Sequence, residues 1–195
     1  METQRLRAIS PADAPTMNAA AHETRFLALL EAHRTIVLHV ANAYARSVAD
    51  REDLMQEIVA GAWRSFARYD PARTFSTWLY RVALNTAISW VRRSLRHASR
   101  RAADDSALAA VAVHDPDALA IDDDVGDLRA AVAALDDLPR ALIVLHLEGT
   151  SYATIAEILD ITETNVATKL SRIKTRLRDA ILRAREARST RNGNG

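Results

Sequence analysis

The chain has 195 residues, a formal net charge of +1, five glycines and no cysteine. The lack of cysteine excludes disulfides, thiolate catalysis and cysteine–zinc sites, and no apolar run suggests a membrane span or a secretory signal, so we expect a cytoplasmic protein of one or two small domains. Abundant alanine, leucine and arginine, with no strand-like alternation, predict an all-α fold.

The chain begins with a segment of mixed composition. Residues 1–21 include Pro11 and Pro15 and show no periodicity, so we expect a disordered tail. From Phe26 to Tyr44, apolar residues recur at helical spacing and predict one long amphipathic helix. His33 lies on this apolar stripe, where we expect a core or boundary histidine rather than a metal ligand.

Two more helices follow and complete a first domain, predicted over residues 22–97. Asp50 is the expected N-cap of the second helix, and the acidic residues after it are stabilising near the positive end of the helix dipole. A loop over residues 68–75, RYDPARTF, leads to a third helix from Ser76 to about Arg96.

Residues 98–126 lose helical periodicity and are rich in alanine and aspartate, which predicts a flexible acidic linker. Asp122, Asp123 and Asp124 lack a glycine turn or further ligand spacing, so we expect a solvated acidic run rather than a magnesium site. Residues 169–188 are strongly cationic. The small net charge therefore conceals separate acidic and basic surfaces.

A second helical domain is predicted over residues 127–188, with a disordered tail over residues 189–195. Leu128, Val132 and Leu135 begin it at helical spacing. Pro139 suits the first turn of the next helix, and Gly149 suits its C-terminal end.

Residues 151–178 predict a helix-turn-helix, in which Ser151 caps the first helix and Thr162 caps the second. The first helix is expected to bury Ile155, Ala156 and Leu159. Apolar residues of the second recur at steps of four and three: Val166, Leu170, Ile173, Leu177 and Ile181. Its other faces carry polar groups and then cations, as a helix that reaches base edges and phosphates would. An ordinary αα-hairpin with a solvated charged face is the alternative.

Two further segments indicate a family. DLMQEI begins at Asp53 and is followed by Trp63 and Arg64, and FSTWLYRVALNTA begins at Phe75 and runs on to the basic WVRR. In this order, with LDDLPRALIVLHLEGTSYATIAEIL downstream, they resemble the extracytoplasmic-function (ECF) group of bacterial sigma factors. The resemblance covers residues 23–182.

The resemblance implies a non-catalytic promoter-specificity subunit of RNA polymerase, a monomer when free, with no cofactor or metal and no membrane insertion. Its implied partners are core RNA polymerase, promoter DNA and an anti-sigma factor. Core polymerase would contact Asp53, Gln56, Glu57 and Trp63. The minus-ten element would contact Tyr69, Arg73, Phe75, Arg81, Asn85, Ser89, Arg92 and Arg93. The minus-thirty-five element would contact Thr164, Asn165, Thr168, Lys169, Ser171, Arg172, Lys174 and Arg176.

The chain departs from the family pattern in two places. The loop YDPART lacks the conspicuous acidic or glycine-containing character usual there, which leaves the captured base open. The capping box at Ser151 lacks its glutamate. Two other functions are alternatives. A sigma-like decoy would bind an anti-sigma factor, and it is expected to lose the cationic DNA-facing residues that this chain retains. A stand-alone helix-turn-helix regulator would bind duplex DNA as a dimer.

Overall fold

A computed structural model describes residues 14–104 and 123–192, with side chains placed for residues 19–97 and 125–190. Every regular element in this part is an α-helix, which confirms the all-α prediction. The helices are α1 (Ala14–Ala32), α2 (Arg34–Tyr44), α3 (Val48–Phe66), α4 (Phe75–Asp104), α5 (Asp123–Ala133), α6 (Asp137–Leu147), α7 (Tyr152–Leu159) and α8 (Glu163–Asn192). The described residues up to Arg34 belong to one compact unit and those from Thr35 onward belong to another.

The first helix begins earlier than predicted. It starts at Ala14, inside the segment 1–21 that was expected to be a disordered tail, so that expectation is wrong for residues 14–21. Pro15 suits the first turn, because amide N–H groups there have no carbonyl partner within the helix and the lack of one in proline costs no hydrogen bond. The alanines that follow favour a helix. Residues 1–13 lie outside the described residues.

The long helix predicted from Phe26 to Tyr44 is interrupted at His33. The amide of His33 donates to the carbonyl of Leu30 at 3.1 Å, which closes a turn, and its ring Nδ1 lies 2.9 Å from the carbonyl oxygen of Leu29. The imidazole thus bonds to the backbone of the preceding turn. The apolar periodicity continues across the break, which is why the sequence pattern did not reveal it.

Ser47, rather than Asp50, caps α3. The Ser47 hydroxyl accepts a hydrogen bond from the amide N–H of Asp50 at 3.1 Å. Asp50 lies in the first turn, where its negative charge interacts favourably with the positive end of the helix dipole. The predicted cap was therefore one turn late. α3 packs along α4, and its buried face consists of Leu54, Ile58, Ala62 and Phe66.

Helix α4 extends to Asp104 and α5 begins at Asp123, so the predicted linker over residues 98–126 is helical at both ends. Residues 97–104, HASRRAAD, continue the helix after the apolar periodicity ends, and their alanines and arginines favour a helix. Residues 105–122 lie outside the described residues. α8 likewise continues to Asn192, into the predicted tail over 189–195.

Helices α5, α6 and α7 each contact α8. Four apolar side chains of α8 are buried there, as predicted: Val166, Leu170, Ile173 and Leu177. Arg188 of α8 also donates to both carboxylate oxygens of Asp127 in α5, with Nη1 to Oδ1 at 2.8 Å. The second helical domain is therefore organised around one long helix.

Gly149 ends α6 as predicted, with φ of +72°, and its amide donates to the carbonyl of His146 at 3.1 Å. This left-handed conformation is costly for residues that have a Cβ atom. Pro139 lies in the first turn of α6, also as predicted.

The Gly149→Ala variant is expected to lose about 1 kcal/mol of the free energy of unfolding, because the left-handed backbone would be strained although the space around the Cβ is open. Gly126→Ala is the matched control, since Gly126 lies inside α5 with open space around it and alanine favours a helix. Urea denaturation of both variants measures the difference. Equal stabilities would contradict the assigned strain.

Candidate nucleic-acid and protein interfaces

The helix-turn-helix forms with the predicted caps. The Ser151 hydroxyl accepts the amide N–H of Thr154 at 3.2 Å, and the Thr162 hydroxyl accepts that of Asn165 at 3.3 Å. Between the helices, Asp160 adopts a left-handed conformation with φ of 55°. These turns set the direction in which α8 leaves α7.

One detail of the helix-turn-helix core differs from the prediction. Ile158 is buried with 4% of its surface exposed, together with Ile155 and Ala156, whereas Leu159 is only partly buried. Ile155 and Ile158 are three residues apart and lie on the same face of α7. Ile158 therefore takes the inner position assigned to Leu159.

The outer face of α8 carries the eight residues predicted to contact the minus-thirty-five element, and all eight are exposed: Thr164, Asn165, Thr168, Lys169, Ser171, Arg172, Lys174 and Arg176. The Thr168 hydroxyl donates to the carbonyl of Thr164 at 2.9 Å. Polar side chains thus occupy the first turns of the helix, and cations continue along it. This arrangement can present hydrogen-bonding groups to base edges and positive charge to phosphates.

The loop before α4 is closed by its own hydrogen bonds. The Tyr69 hydroxyl donates to the carbonyl of Arg73 at 2.8 Å, and the Asp70 carboxylate accepts the amide N–H of Ala72 at 2.9 Å. At the start of α4, the Thr74 hydroxyl donates to that of Thr77 at 2.7 Å. The loop therefore has a defined shape.

Four aromatic rings pack together beneath this loop: Phe66, Tyr69, Phe75 and Trp78. Phe75 is 5% exposed and meets the Tyr69 ring edge-on, with ring centroids 5.5 Å apart. Phe75 thus lies in the core in this structure, although it was predicted to contact the minus-ten element. Tyr69 is half-buried at the edge of the cluster.

A polar groove lies between α3 and α4. Its lining residues are Glu57, Arg64, Asn85, Thr86, Ser89, Arg92, Arg93 and Arg96. Gly61 permits the close approach of the two helices, since a Cβ there would lie 3.2 Å from the Thr86 hydroxyl. Four of the residues predicted to contact the minus-ten element are brought together here.

Arg64 and Arg96 belong to this groove and were not predicted. The signal was available in their spacing: Arg64 follows Glu57 by seven residues and Arg96 follows Ser89 by seven, so each pair lies on one helix face two turns apart. The groove therefore carries more positive charge than the predicted set alone.

The four residues predicted to contact core polymerase do not share one environment. Asp53 and Gln56 are exposed, and Trp63 is 43% exposed. Glu57 pairs with Arg93 across the groove, with Oε2 and Nη2 3.1 Å apart. Its carboxylate is therefore turned toward the groove on α4.

The arginines predicted to contact the minus-ten element are all engaged by oxygen atoms. Arg93 pairs with Glu57, as described above. Arg81 donates from Nε to the carbonyl of Ile158 at 3.3 Å and from Nη2 to the carbonyl of Glu157. Arg92 donates from Nε and Nη2 to Oδ2 of Asp137, at 3.0 and 2.7 Å.

The fourth arginine predicted to contact the minus-ten element is Arg73, whose Nη1 lies 3.8 Å from Oε1 of Glu157. Three of these four cations are thus bound by α6 or α7. Sequence reasoning did not find these partners, because no local pattern connects positions so far apart in the chain.

Burial shifts the titration of two tyrosines in the second unit. Burial raises the pKa of Tyr44 well above its ordinary value, with the cation of Arg140 opposing the shift. Burial, assisted by Glu148, raises the pKa of Tyr80 to about 12. Both hydroxyls therefore stay protonated at neutral pH. The pKa of His146 is lowered by burial and by Lys174, which favours the neutral ring.

Within residues 14–104 and 123–192, no group of three His, Cys, Asp or Glu side chains is arranged to hold a metal ion. None of the helices in the same ranges combines the length and apolar character needed to span a bilayer.

Comparison with known proteins identifies the family. The family model for sigma-70 region 2 matches residues 29–97, and the model for sigma-70 region 4 matches residues 126–177. The ECF RNA polymerase sigma factor SigE of Mycolicibacterium smegmatis is 31% identical over 180 residues, covering 88% of this chain and 70% of that protein. The chain belongs to the ECF sigma factors.

Two further similarities agree with this assignment. The probable RNA polymerase sigma factor RfaY of Xanthomonas campestris is 27% identical over 168 residues, but the match spans only 42% of that longer protein. The sigma factor RpoE of Bartonella quintana, solved in complex with the anti-sigma factor NepR, has the same fold, with a TM-score of 0.56 and 22% identity over 82% of this chain and 95% of that one. The predicted two-domain sigma-factor architecture is therefore confirmed. Sigma factors are non-catalytic specificity subunits that bind core RNA polymerase and promoter DNA.

Proposed function

We propose that this ECF sigma factor directs core RNA polymerase to promoters through three surfaces: the exposed face of α3, the groove and loop at α4, and the outer face of α8. The observation that carries the assignment is the outer face of α8, where exposed polar residues are followed by cations on a capped recognition helix. The polar groove on α4 supports a second DNA contact in the same chain. Transcription by purified core polymerase on a library of promoters tests the function.

Each surface corresponds to one step of initiation. Asp53, Gln56 and Trp63 would contact core polymerase, with Glu57 at the border of the groove. The minus-ten element would lie along α4, where Asn85 and Ser89 are exposed beside the arginines. Opening of the strands requires compensation for lost base stacking, and the aromatic loop with its neighbouring cations can supply it.

The functional domains are proposed to span residues 22–97 and 127–188. The protein would act in the cytoplasm as a monomer without enzymatic activity, metal or cofactor. Because RpoE of Bartonella quintana was solved with an anti-sigma factor, we propose that a partner of this class also binds the present chain. A free-standing regulator is not favoured, since the family matches include both region 2 and region 4. A decoy is not favoured, since the cationic residues on the outer face of α8 are retained and exposed.

Asp53→Arg is expected to weaken binding to core polymerase by about tenfold or more, since a reversed charge at a contact surface is repelled. Asp53 is exposed, so the helical content should be unchanged. Glu23→Arg, an equal charge reversal on the exposed surface of α1, is the control. Fluorescence anisotropy with labelled protein measures the affinity, and equal affinities for the two variants would remove Asp53 from this surface.

Asn165→Ala is expected to relax base preference at one position of the minus-thirty-five element, with a loss of about 1 to 3 kcal/mol for the preferred base. Lys169→Ala should instead weaken binding to all sequences alike and reduce its salt dependence. Promoter-library selection with each variant separates the two effects. An unaltered preference in Asn165→Ala and in Thr168→Ala would mean that another face of α8 reads the bases.

Asn85→Ala is expected to reduce open complexes on paired DNA while leaving core binding intact, because it removes a polar group from the groove. On a template mismatched across the minus-ten region, less stacking must be broken and the variant should recover activity. Ser94→Ala, also exposed on α4, is the control. Permanganate reactivity of thymines reports the opened strands, and a normal bubble with Asn85→Ala on paired DNA would exclude this role.

A further inference from the structure

The ring of Tyr69 is held by the aromatic cluster beneath the loop before α4. It is stacked on Phe66, with ring centroids 5.8 Å apart and an interplanar angle of 12°. The rings of Phe75 and Trp78 lie 5.5 and 5.2 Å from it, measured between centroids. Three aromatic neighbours thus surround a side chain that was predicted to contact the minus-ten element. Because the ring packs within the protein, Tyr69 reaches the loop through its hydroxyl group.

The loop itself contains a tight turn over residues 70–73. The amide of Arg73 donates to the carbonyl of Asp70 at 3.0 Å, and the Asp70 carboxylate accepts from the amide of Ala72 at 2.9 Å. Aspartate at the first position of a turn and proline at the second, here Pro71, both favour this conformation. These bonds give the loop its local shape, but they do not attach it to the helices.

The Tyr69 hydroxyl attaches the turn to the aromatic cluster, because it donates to the carbonyl of Arg73 at 2.8 Å. Both backbone polar groups of Arg73 are therefore bonded, the amide within the turn and the carbonyl to Tyr69. The Arg73 side chain is held less firmly. It is 58% exposed, and its contact with Glu157, at 3.8 Å, is of the exposed kind that is individually weak. The backbone of Arg73 is thus fixed while its guanidinium can exchange partners.

We propose that Tyr69 is a positioning residue for strand opening and acts through Arg73, whose guanidinium it places for a phosphate of the freed minus-ten strand. This inference rests on the proposed function, in which the loop contacts that strand. A loop that already has its bound shape loses less conformational entropy when it captures DNA. The hydroxyl of Tyr69 therefore favours open complexes without touching DNA itself.

The attachment of the loop can be measured on the free chain. Tyr69→Phe removes the hydroxyl and keeps the ring, so the aromatic cluster should stay packed. Hydrogen–deuterium exchange of the amides of residues 70–74 is expected to become about threefold to tenfold faster, as the loss of one hydrogen bond implies. Tyr152→Phe, which changes an exposed ring in α7, is the matched control and should leave this exchange unchanged. Unchanged exchange in Tyr69→Phe would overturn the attachment.

The role in opening is tested by a double-mutant cycle with the holoenzyme, on a paired promoter selected from the library. Tyr69→Phe should reduce open complexes about threefold to tenfold, as reported by permanganate, with the affinity for core polymerase unchanged. Arg73→Ala removes the guanidinium but keeps the backbone carbonyl that accepts from Tyr69. Adding Tyr69→Phe to Arg73→Ala should therefore cause no further loss of open complexes.

The cycle separates positioning from a structural role. Urea denaturation should show the same loss of stability from Tyr69→Phe with and without the Arg73 guanidinium, whereas the loss of open complexes should require the guanidinium. Equal losses of open complexes in both backgrounds, or a normal bubble in Tyr69→Phe alone, would overturn the positioning role. A wild-type chain that opens no promoter with core polymerase would refute the proposed function and the role in opening with it, and the exchange measurement would still decide whether Tyr69 holds the loop.

Discussion

Region 4 depends on one constraint, which is that three helices share the apolar stripe of α8. Leu170 is 1% exposed and Val166 is fully buried, and α5, α6 and α7 all contact this helix. Because that stripe must face inward, the polar and cationic side chains of α8 must face outward. The same packing determines where α7 ends. The carbonyls of its last turn, which Arg81 contacts, are thus positioned by the core of the DNA-binding domain.

Under the proposed function, the arginines of α4 have two alternative partners, which are the oxygen atoms that they contact within the chain and the phosphates of DNA. A guanidinium carries several donors in a fixed plane, and it binds carboxylates, helix-terminal carbonyls and phosphates with similar geometry. Arg92, which pairs with Asp137 in this structure, is therefore also suited to a DNA phosphate. A protein whose DNA-binding residues are cationic will bind its own acidic surfaces unless the domains are kept apart. Here Asp137 and Glu157 provide such surfaces.

Much of the fold was predictable because its signals are local. Ser151, Thr162 and Gly149 act within one turn of their own positions, and the stripe of α8 follows from spacing alone. Helix ends were predicted less well, since residues 97–104 lose periodicity but keep helix propensity. The bonds from Arg92 to Asp137 and from His39 to Glu148 join residues 45 and 109 positions apart, and no pattern along the chain marks them. Similarly, the burial of Phe75 depends on rings from α3 and the loop.

The contacts between region 2 and region 4 are of two kinds, which differ in how strongly solvent weakens them. An apolar interface between the domains would be difficult to separate, because each buried side chain adds a favourable free energy that salt does not reduce. Exposed hydrogen-bonded pairs behave differently, since water and ions can replace each partner as it leaves. The pair of Arg92 with Asp137 is of this second kind, since its side chains are 66% and 33% exposed. Tyr44 is instead 2% exposed where its hydroxyl donates to the carbonyl of Asp137, and the bond of Arg81 to Ile158 is part-buried. Salt should therefore weaken the contact of Arg92 more than those of Tyr44 and Arg81.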